Sequence, residues 1–373
     1  MSKWTQDKLD LIKEHLAQGC TIKQIAKRTN LSYDAVGHAI QRYNLRAGVD
    51  SSRIFKKEKG KLKKDDVDKL AKLVGQRLYE SYQNVVLPVP KPPKIKGKRE
   101  EMSILDLSDL HIGMKNEVFD SGKGKKVVTY NMDIFKKELT VLQDSVTQIH
   151  SILSKSYNLK ELTVFLLGDI ITNDRIFPEQ VFEIEKIVGL QIWDAVNYLV
   201  KFFNNMLAIY EKITIVGVVG NHGRSNPTHY NEEVENNFEY WIYKMIQKQF
   251  ENNPRVKVIV PTTRRYIHTI YGWKHLIEHG DSIKGSTDTA IEKQIKELSL
   301  NIGGFDCFHF GHYHKLKERE IADKIIVKQN GSWILKDNYA FKKFKTYSVP
   351  KQHFFGCSPK RVETFSYKID LRG

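Results

Sequence analysis

From residue 103 onward, short apolar, β-branched runs alternate with longer stretches in which apolar positions recur at helical spacing. The runs lie at 104–107, 162–167, 213–219, 275–277 and 305–310 and predict buried strands. The helical stretches lie at 131–156, 182–210, 231–251 and 288–298. Further strands are expected at 325–328, 331–335 and 364–369, finishing a second sheet. Strands flanked by helices argue for an α/β (α+β) domain with helices layered on sheets, here over residues 101–373.

The first hundred residues follow another pattern. Residues 4–44 predict three short helices. The first follows Thr5 and carries Leu9, Ile12 and Leu16, ending near Gly19. The second follows Thr21 with Ile22, Ile25 and Ala26. After a turn at 29–31, Ser32 is placed to cap a third helix bearing Ala35, Val36 and Ile40. Short helices joined by a tight turn form a helix-turn-helix, and the pattern resembles that of resolvase-like and sigma-like DNA readers. The resemblance makes helix three the reader, with Tyr33, Asp34, Gly37, His38, Gln41 and Arg42 off its apolar stripe. Lys23, Lys27 and Arg28 would meet phosphates. The alternative is a small helical module that packs on another protein.

The composition of residues 46–64 predicts a flexible basic tether. Residues 65–84 predict an amphipathic helix with Val67, Leu70, Leu73, Val74, Leu78 and Tyr82 along one stripe. That stripe packs on the catalytic domain or on a second copy of the chain, which leaves a homodimer open. Residues 87–100 are a proline-rich basic spacer. The expected organisation is therefore 1–45, a helix-turn-helix domain; 46–100, a linker; and 101–373, the catalytic domain.

Charge sharpens this division. The net charge of the 373-residue chain is +16, and residues 1–100 hold 23 Lys and Arg against 11 Asp and Glu. Basic charge concentrated in an appendage points to a polyanionic partner, DNA ahead of RNA. A composition 40% hydrophobic and 28% charged is that of a soluble globular protein. No apolar stretch approaches the roughly 18–20 residues of a membrane span, and the first residues lack a signal peptide's apolar core. Cys20, Cys307 and Cys357 are far apart and odd in number, which fits reduced thiols and a cytoplasmic setting. Cys307 reads as a small core residue.

The candidate chemistry sits just past five of the apolar runs: Asp109-Leu110-His111, Gly168-Asp169, Gly220-Asn221-His222, Glu278-His279-Gly280-Asp281 and Gly311-His312-Tyr313-His314. Such positions lie at the carboxyl edge of a sheet, where α/β folds gather ligands. Carboxylates, an amide and several imidazoles suit two adjacent divalent cations: Mn²⁺ first, with Fe²⁺, Zn²⁺ or Ni²⁺ as alternatives.

The ordered set resembles the calcineurin-like metallophosphoesterases, a family spanning protein phosphatases, nucleotidases and SbcD-type DNA nucleases. The resemblance covers about residues 101–373 and implies a four-layer β-sandwich flanked by helices. It implies that Asp109, His111 and His314 hold one metal, that Asn221, His279 and His312 hold the other, and that Asp169 bridges them. Two cations about 3.5–4 Å apart need such a shared anion and clamp both ends of an in-line displacement at phosphorus. His222 would be the general acid, opposite attack by a metal-activated water. Two departures stand out: Thr172 occupies the place of a histidine in SbcD-like nucleases, and Gly223 that of an acidic residue. The layout with a small helix-turn-helix resembles proteins of bacteriophages and their bacterial hosts.

Around these motifs, Arg224 would grip a phosphate or serve as a structural arginine, with His229 and Tyr230 in the same loop. Arg175 carries the same two readings. Lys123, Lys125 and Lys126 mark a basic flap over 117–130. In 336–361, basic residues alternate with Tyr339, Phe341, Phe344, Phe354 and Phe355, which stack on unpaired bases or are buried in a sheet. Three functions compete: a metal-dependent DNA nuclease, a phosphomonoesterase or small-nucleotide hydrolase, and a non-catalytic DNA-binding regulator.

Overall fold

The computed structural model describes residues 4–17, 20, 22–43, 98–178, 180–228, 233–285, 287–321, 324–336 and 349–372. The chain divides into two compact units, Met1–Pro93 and Lys94–Gly373. The expected tether, the helix over 65–84 and the spacer as far as residue 97 lie outside the described residues, as do Thr21, His229, Tyr230, Tyr339, Phe341 and Phe344.

In the first unit, helices α1 (Gln6–Ala17), α2 (Ile22–Thr29) and α3 (Tyr33–Arg42) enclose a small core of Leu9, Ile12, Ile25, Ala26, Val36, Ala39 and Ile40. These include most of the positions the periodicity selects. Ser32 caps α3 by accepting from the Ala35 backbone N–H at 3.2 Å, satisfying one of the helix's orphan donors.

The second unit begins with β1 (Arg99–Glu100), β2 (Met102–Leu107), β3 (Asn116–Asp120), β4 (Lys125–Tyr130) and α4 (Met132–Leu153). It continues through β5 (Tyr157–Asn158), β6 (Glu161–Leu166), α5 (Val188–Met206), β7 (Lys212–Gly217), α6 (Phe238–Gln249) and β8 (Val256–Ile259). Then come β9 (Arg265–Ile270), β10 (Trp273–Glu278), α7 (Asp288–Asn301), β11 (Cys307–Phe310), β12 (Lys317–Ile321), β13 (Ile325–Gln329), β14 (Lys351–Ser358) and β15 (Arg361–Asp370).

Two sheets face each other. The six-stranded sheet has the order β15-β14-β2-β6-β7-β8 and the five-stranded sheet β12-β13-β11-β10-β9. Ile104, Phe165, Leu167, Val216, Val218 and Phe355 from the first meet Ile270 and Ile277 from the second. Alternate residues of the six-stranded sheet, including Leu105, Leu107, Val164 and Ile215, pack outward against α4, α5 and α6. On the far side of the other sheet, Leu276, Phe308, Phe310 and Val327 pack on Ile291 and Ile295 of α7. Helix, sheet, sheet and helix make four layers, as expected. β2, β6 and β7 are parallel neighbours, as are β10 and β11, so their carboxyl ends share an edge.

Some expectations are corrected. Residues 331–335 are irregular, because Gly331 to Ile334 turn beneath the first motif, where the Trp333 N–H donates to the Asp109 carbonyl at 3.2 Å. Residues 364–369 lie in β15, at the edge of the six-stranded sheet. The basic flap at 117–130 falls within the β3–β4 hairpin, pinned by buried Val118 and Tyr130, whose hydroxyl donates to the Leu110 carbonyl. The stretch 182–210 becomes helical only at Val188, after a 3₁₀ turn at Gln180–Glu183.

Candidate dinuclear metal site

Each motif leaves its strand by an abrupt turn. Asp109, His111, Asp169, His312 and His314 all have φ between +48° and +67°, a left-handed backbone that costs a non-glycine residue roughly 1–2 kcal/mol. Five such residues converging on one place are strain that the surrounding fold must hold, and such strain concentrates at functional sites. Gly220 permits a close approach: a Cβ there would lie 2.2 Å from Asp169 Oδ1.

The converging side chains form two groups, each with ligand-type atoms within 4.8 Å of one another: Asp109, His111 and His314; and Asp169, His279 and His312. Asp169 also groups with His111 and His222, so its carboxylate stands between the two. In the first, His111 Nε2 is 3.2 Å from His314 Nε2, which is 3.3 Å from Asp109 Oδ1. In the second, His279 Nδ1 donates to the Leu167 carbonyl at 2.8 Å, leaving Nε2 aimed at Asp169 Oδ2 and Asn221 Oδ1, each 3.0 Å away. With Nδ1 committed, Nε2 faces two oxygens across a gap that a proton or a divalent cation can fill. The donor set and its geometry therefore fit two divalent metals.

The electrostatics carry the same signature. Burial opposes a charged His279, yet the Asp169 carboxylate, helped by Asp109 and Asp281, pushes it up to about 10. Burial also works against Asp169 ionisation, but His279, His222 and His111 hold its carboxyl well below the usual range. His111 moves the other way. Burial first, then His222 and His314, keep it well below an ordinary imidazole and therefore neutral, the form that can ligate.

His222 lies at the edge of this cluster, 16% exposed at its side chain, with Nε2 3.9 Å from Asp169 Oδ2. Its Nδ1 donates to the Thr172 carbonyl at 2.8 Å, and its backbone N–H donates to Asp169 Oδ1 at 2.8 Å. Thr172 thus orients His222 through its backbone, while its hydroxyl donates to the His111 carbonyl at 3.0 Å. Gly223 also has a steric reason: a Cβ there would meet Asn237 Oδ1 at 2.1 Å.

Arg224 is 1% exposed, and its Nε donates to the Asn221 carbonyl at 2.9 Å. Of its two readings, the structure favours bracing of the third motif. Asn173 completes that brace, donating to the carbonyls of His222 and Arg224 at 2.7 and 2.9 Å. Arg175 is the more open arginine, its side chain 84% exposed and its Nε 3.3 Å from Asp174. Phe354 and Phe355 are fully buried in β14 and unavailable to a nucleic acid.

The most consequential residue that the sequence reading missed is Glu239, fully buried at the start of α6. Its carboxylate accepts from the backbone N–H groups of Gly220 (2.7 Å), Asp169 (3.2 Å), Ile170 (2.6 Å) and Ile171 (3.4 Å), tying the second and third motifs together. Burial, then the charge on Asp169, push its carboxyl up to about 8, while the N–H groups of Gly220 and Ile170 pull it down. Nothing in an ordinary amphipathic stretch marks such a residue.

In the first unit, Lys23, Lys27, Arg28, Tyr33, His38 and Arg42 are all exposed, so the positions singled out for nucleic acid are on the surface. Arg42 lies over the Tyr43 ring at 6.0 Å, and Arg28 reaches Cys20 Sγ at 3.1 Å. Gln41 lies within α3, but its side chain is outside the described residues.

No protein-family model and no curated protein matches the chain. Among solved structures, it is similar to Vps29 of Entamoeba histolytica complexed with Zn²⁺, at 10% identity, covering 72% of this chain and 99% of that one with a TM-score of 0.32. A Streptococcus pneumoniae protein described as a predicted phosphoesterase matches at 9% identity over 72% and 98%, TM-score 0.30. A hypothetical protein of Pyrococcus horikoshii matches at 8% identity over 72% and 88%, TM-score 0.36.

Proposed function

We propose that this chain is a dinuclear-metal phosphoesterase of the calcineurin-like class and, within it, a nuclease acting on DNA. The observation behind the first part is the pair of His/Asp groups, drawn from four strand ends and joined at Asp169 by the contact with His111 and His222. Asp109, His111 and His314 would hold one ion, and Asn221, His279 and His312 the other. When bound, such a pair supplies Lewis-acid charge at both ends of an in-line displacement at phosphorus.

The rest of the chemistry belongs to the chain. His222, with Nδ1 committed to the Thr172 carbonyl, has Nε2 as the atom that delivers a proton to the leaving oxygen. Asp169 faces it, with Oδ2 3.9 Å from Nε2, and holds the His222 backbone in place through Oδ1. Glu239 fixes the two loops that carry Asp169, Asn221 and His222, so orientation is set before substrate arrives.

The nuclease reading has separate support. Basic residues concentrate in the first hundred positions, and α2 and α3 expose Lys23, Lys27, Arg28 and Arg42. Beside the candidate site, the turn whose Gln180 packs against His222 exposes Phe182 to 85%, a ring placed to stack on an unpaired base.

The experiment uses the full chain with Mn²⁺ on supercoiled, linear and single-stranded DNA, on a nitrophenyl phosphodiester and on a nitrophenyl phosphomonoester. Cleavage of DNA and the diester is expected, abolished by Asp169→Asn. Turnover of the monoester alone would overturn the nuclease reading and leave a phosphomonoesterase. No turnover of any substrate would overturn both.

A further inference from the structure

Between the two sheets, away from the motif edge, lies a second polar cluster with no role in the chemistry above. β10 and β11 pair in parallel with His275 directly opposite Cys307, and His309 follows two residues on, pointing to the same face. His275, Cys307 and His309 are all at most 1% exposed, and each offers a ligand atom within 4.8 Å of the others. His275 Nδ1 lies 3.0 Å from His309 Nε2. From the opposite sheet, Asp106 Oδ2 accepts from His309 Nδ1 at 2.9 Å.

We propose that His275, Cys307 and His309 form a further metal site, for a Zn²⁺-type ion that fastens the five-stranded sheet to Asp106 of the six-stranded one. Two imidazoles and a thiolate supply three of the four donors of a tetrahedral Zn²⁺ site and are a borderline-soft set suited to that ion. Zn–N bonds of about 2.0–2.1 Å imply a tetrahedral N–N edge of about 3.3 Å, so the two rings need to separate by only a few tenths of an ångström. Asp106 stands where ligating histidines find their carboxylate partner, on the other ring nitrogen. Charge balances as well: the ion's two positive charges meet one thiolate and one carboxylate, a neutral set in a dry interior. Binding releases the Cys307 thiol proton and moves the His275 ring proton to Nε2.

Asp106 Oδ1 and His275 Nε2 are buried with no hydrogen-bond partner, so the cluster is not a closed hydrogen-bond network. Burial holds both imidazoles well below the ordinary range, and hence neutral. The nearby cation, Lys328, is already engaged by Glu318 and Glu363.

The test is the cobalt-reconstituted full chain. A thiolate-to-Co²⁺ charge-transfer absorption is expected, which the nitrogen and oxygen ligands of the dinuclear site cannot produce. It should persist in Asp169→Asn, Cys20→Ser and Cys357→Ser and vanish in Cys307→Ser, while Cys307→Ser still hydrolyses the small diester. X-ray absorption of the unmutated zinc protein, which needs no variant to fold, should show a sulfur scatterer at about 2.3 Å, at a fractional average occupancy when the dinuclear site also holds zinc. Absence of sulfur from the zinc shell, or a charge-transfer band that survives in Cys307→Ser, would overturn the site. Neither result bears on the dinuclear centre.

Discussion

Replacing Glu239 with glutamine tests whether one buried carboxylate organises the candidate site. Oε2 accepts from Gly220 and Asp169, and Oε1 from Ile170 and Ile171. Glutamine keeps one accepting oxygen and turns the other into an NH₂ group, which faces two N–H donors whichever way the amide is set. Each buried donor left without an acceptor costs about 1–3 kcal/mol. One bond of each pair is long (3.2 or 3.4 Å), so the expected loss is in the lower part of the summed range, about 2–4 kcal/mol. A domain stable by about 5–15 kcal/mol still folds with that loss, so the variant can be purified. Its unfolding midpoint in urea should fall, its divalent-metal affinity should weaken, and diester turnover should drop. Glu235→Gln, on an exposed residue of the preceding 3₁₀ turn, serves as the control and should change nothing. A Glu239→Gln protein with unaltered midpoint and metal affinity would refute the argument.

Three further outcomes are expected. His222→Ala should retain metal and lose about 10²–10⁴-fold in rate, less on substrates with a nitrophenolate leaving group; an equal loss on good and poor leaving groups would remove His222 from the acid role. Removing residues 1–93 should leave hydrolysis of the small diester intact and weaken DNA binding, whose salt dependence in the full chain should approach a log–log slope of about −0.9 per phosphate contacted on duplex DNA; undiminished binding and cutting of DNA by the truncated chain would count against the appendage as the DNA-binding element. Phe182→Ala should slow cleavage of single-stranded DNA without slowing the small diester, and equal effects on both would rule out base stacking there.

What the sequence made legible follows from what local chemistry can encode. Asp109, Asp169, Asn221, His279 and His312 were each visible because a glycine or sharp turn follows a continuous apolar run, and that combination marks the end of a buried strand. A helix start was visible where a cap was written into the chain, as at Ser32, whose side chain accepts from Ala35. Long-range partners were not. Glu239 lies 70 residues beyond Asp169, in a helix whose other letters are ordinary. Arg224 could not be told from a surface arginine until the Asn221 carbonyl was found beside it. The β3–β4 hairpin escaped because Lys123, Lys125 and Lys126 dominate its outer face and hide the alternation that pins it. His275 and His309 passed for members of apolar runs, since their face is defined only when the two sheets close.

The most direct test of the central claim is anomalous diffraction from crystals of the full chain soaked with Mn²⁺, on the unmutated protein and on Asp169→Asn. The account predicts two peaks about 3.5–4 Å apart. One should contact Asp109, His111 and His314 and the other Asn221, His279 and His312, with Asp169 touching both; the variant should show both peaks weakened. A single peak, two peaks that do not share Asp169, or two undiminished peaks in Asp169→Asn would contradict it.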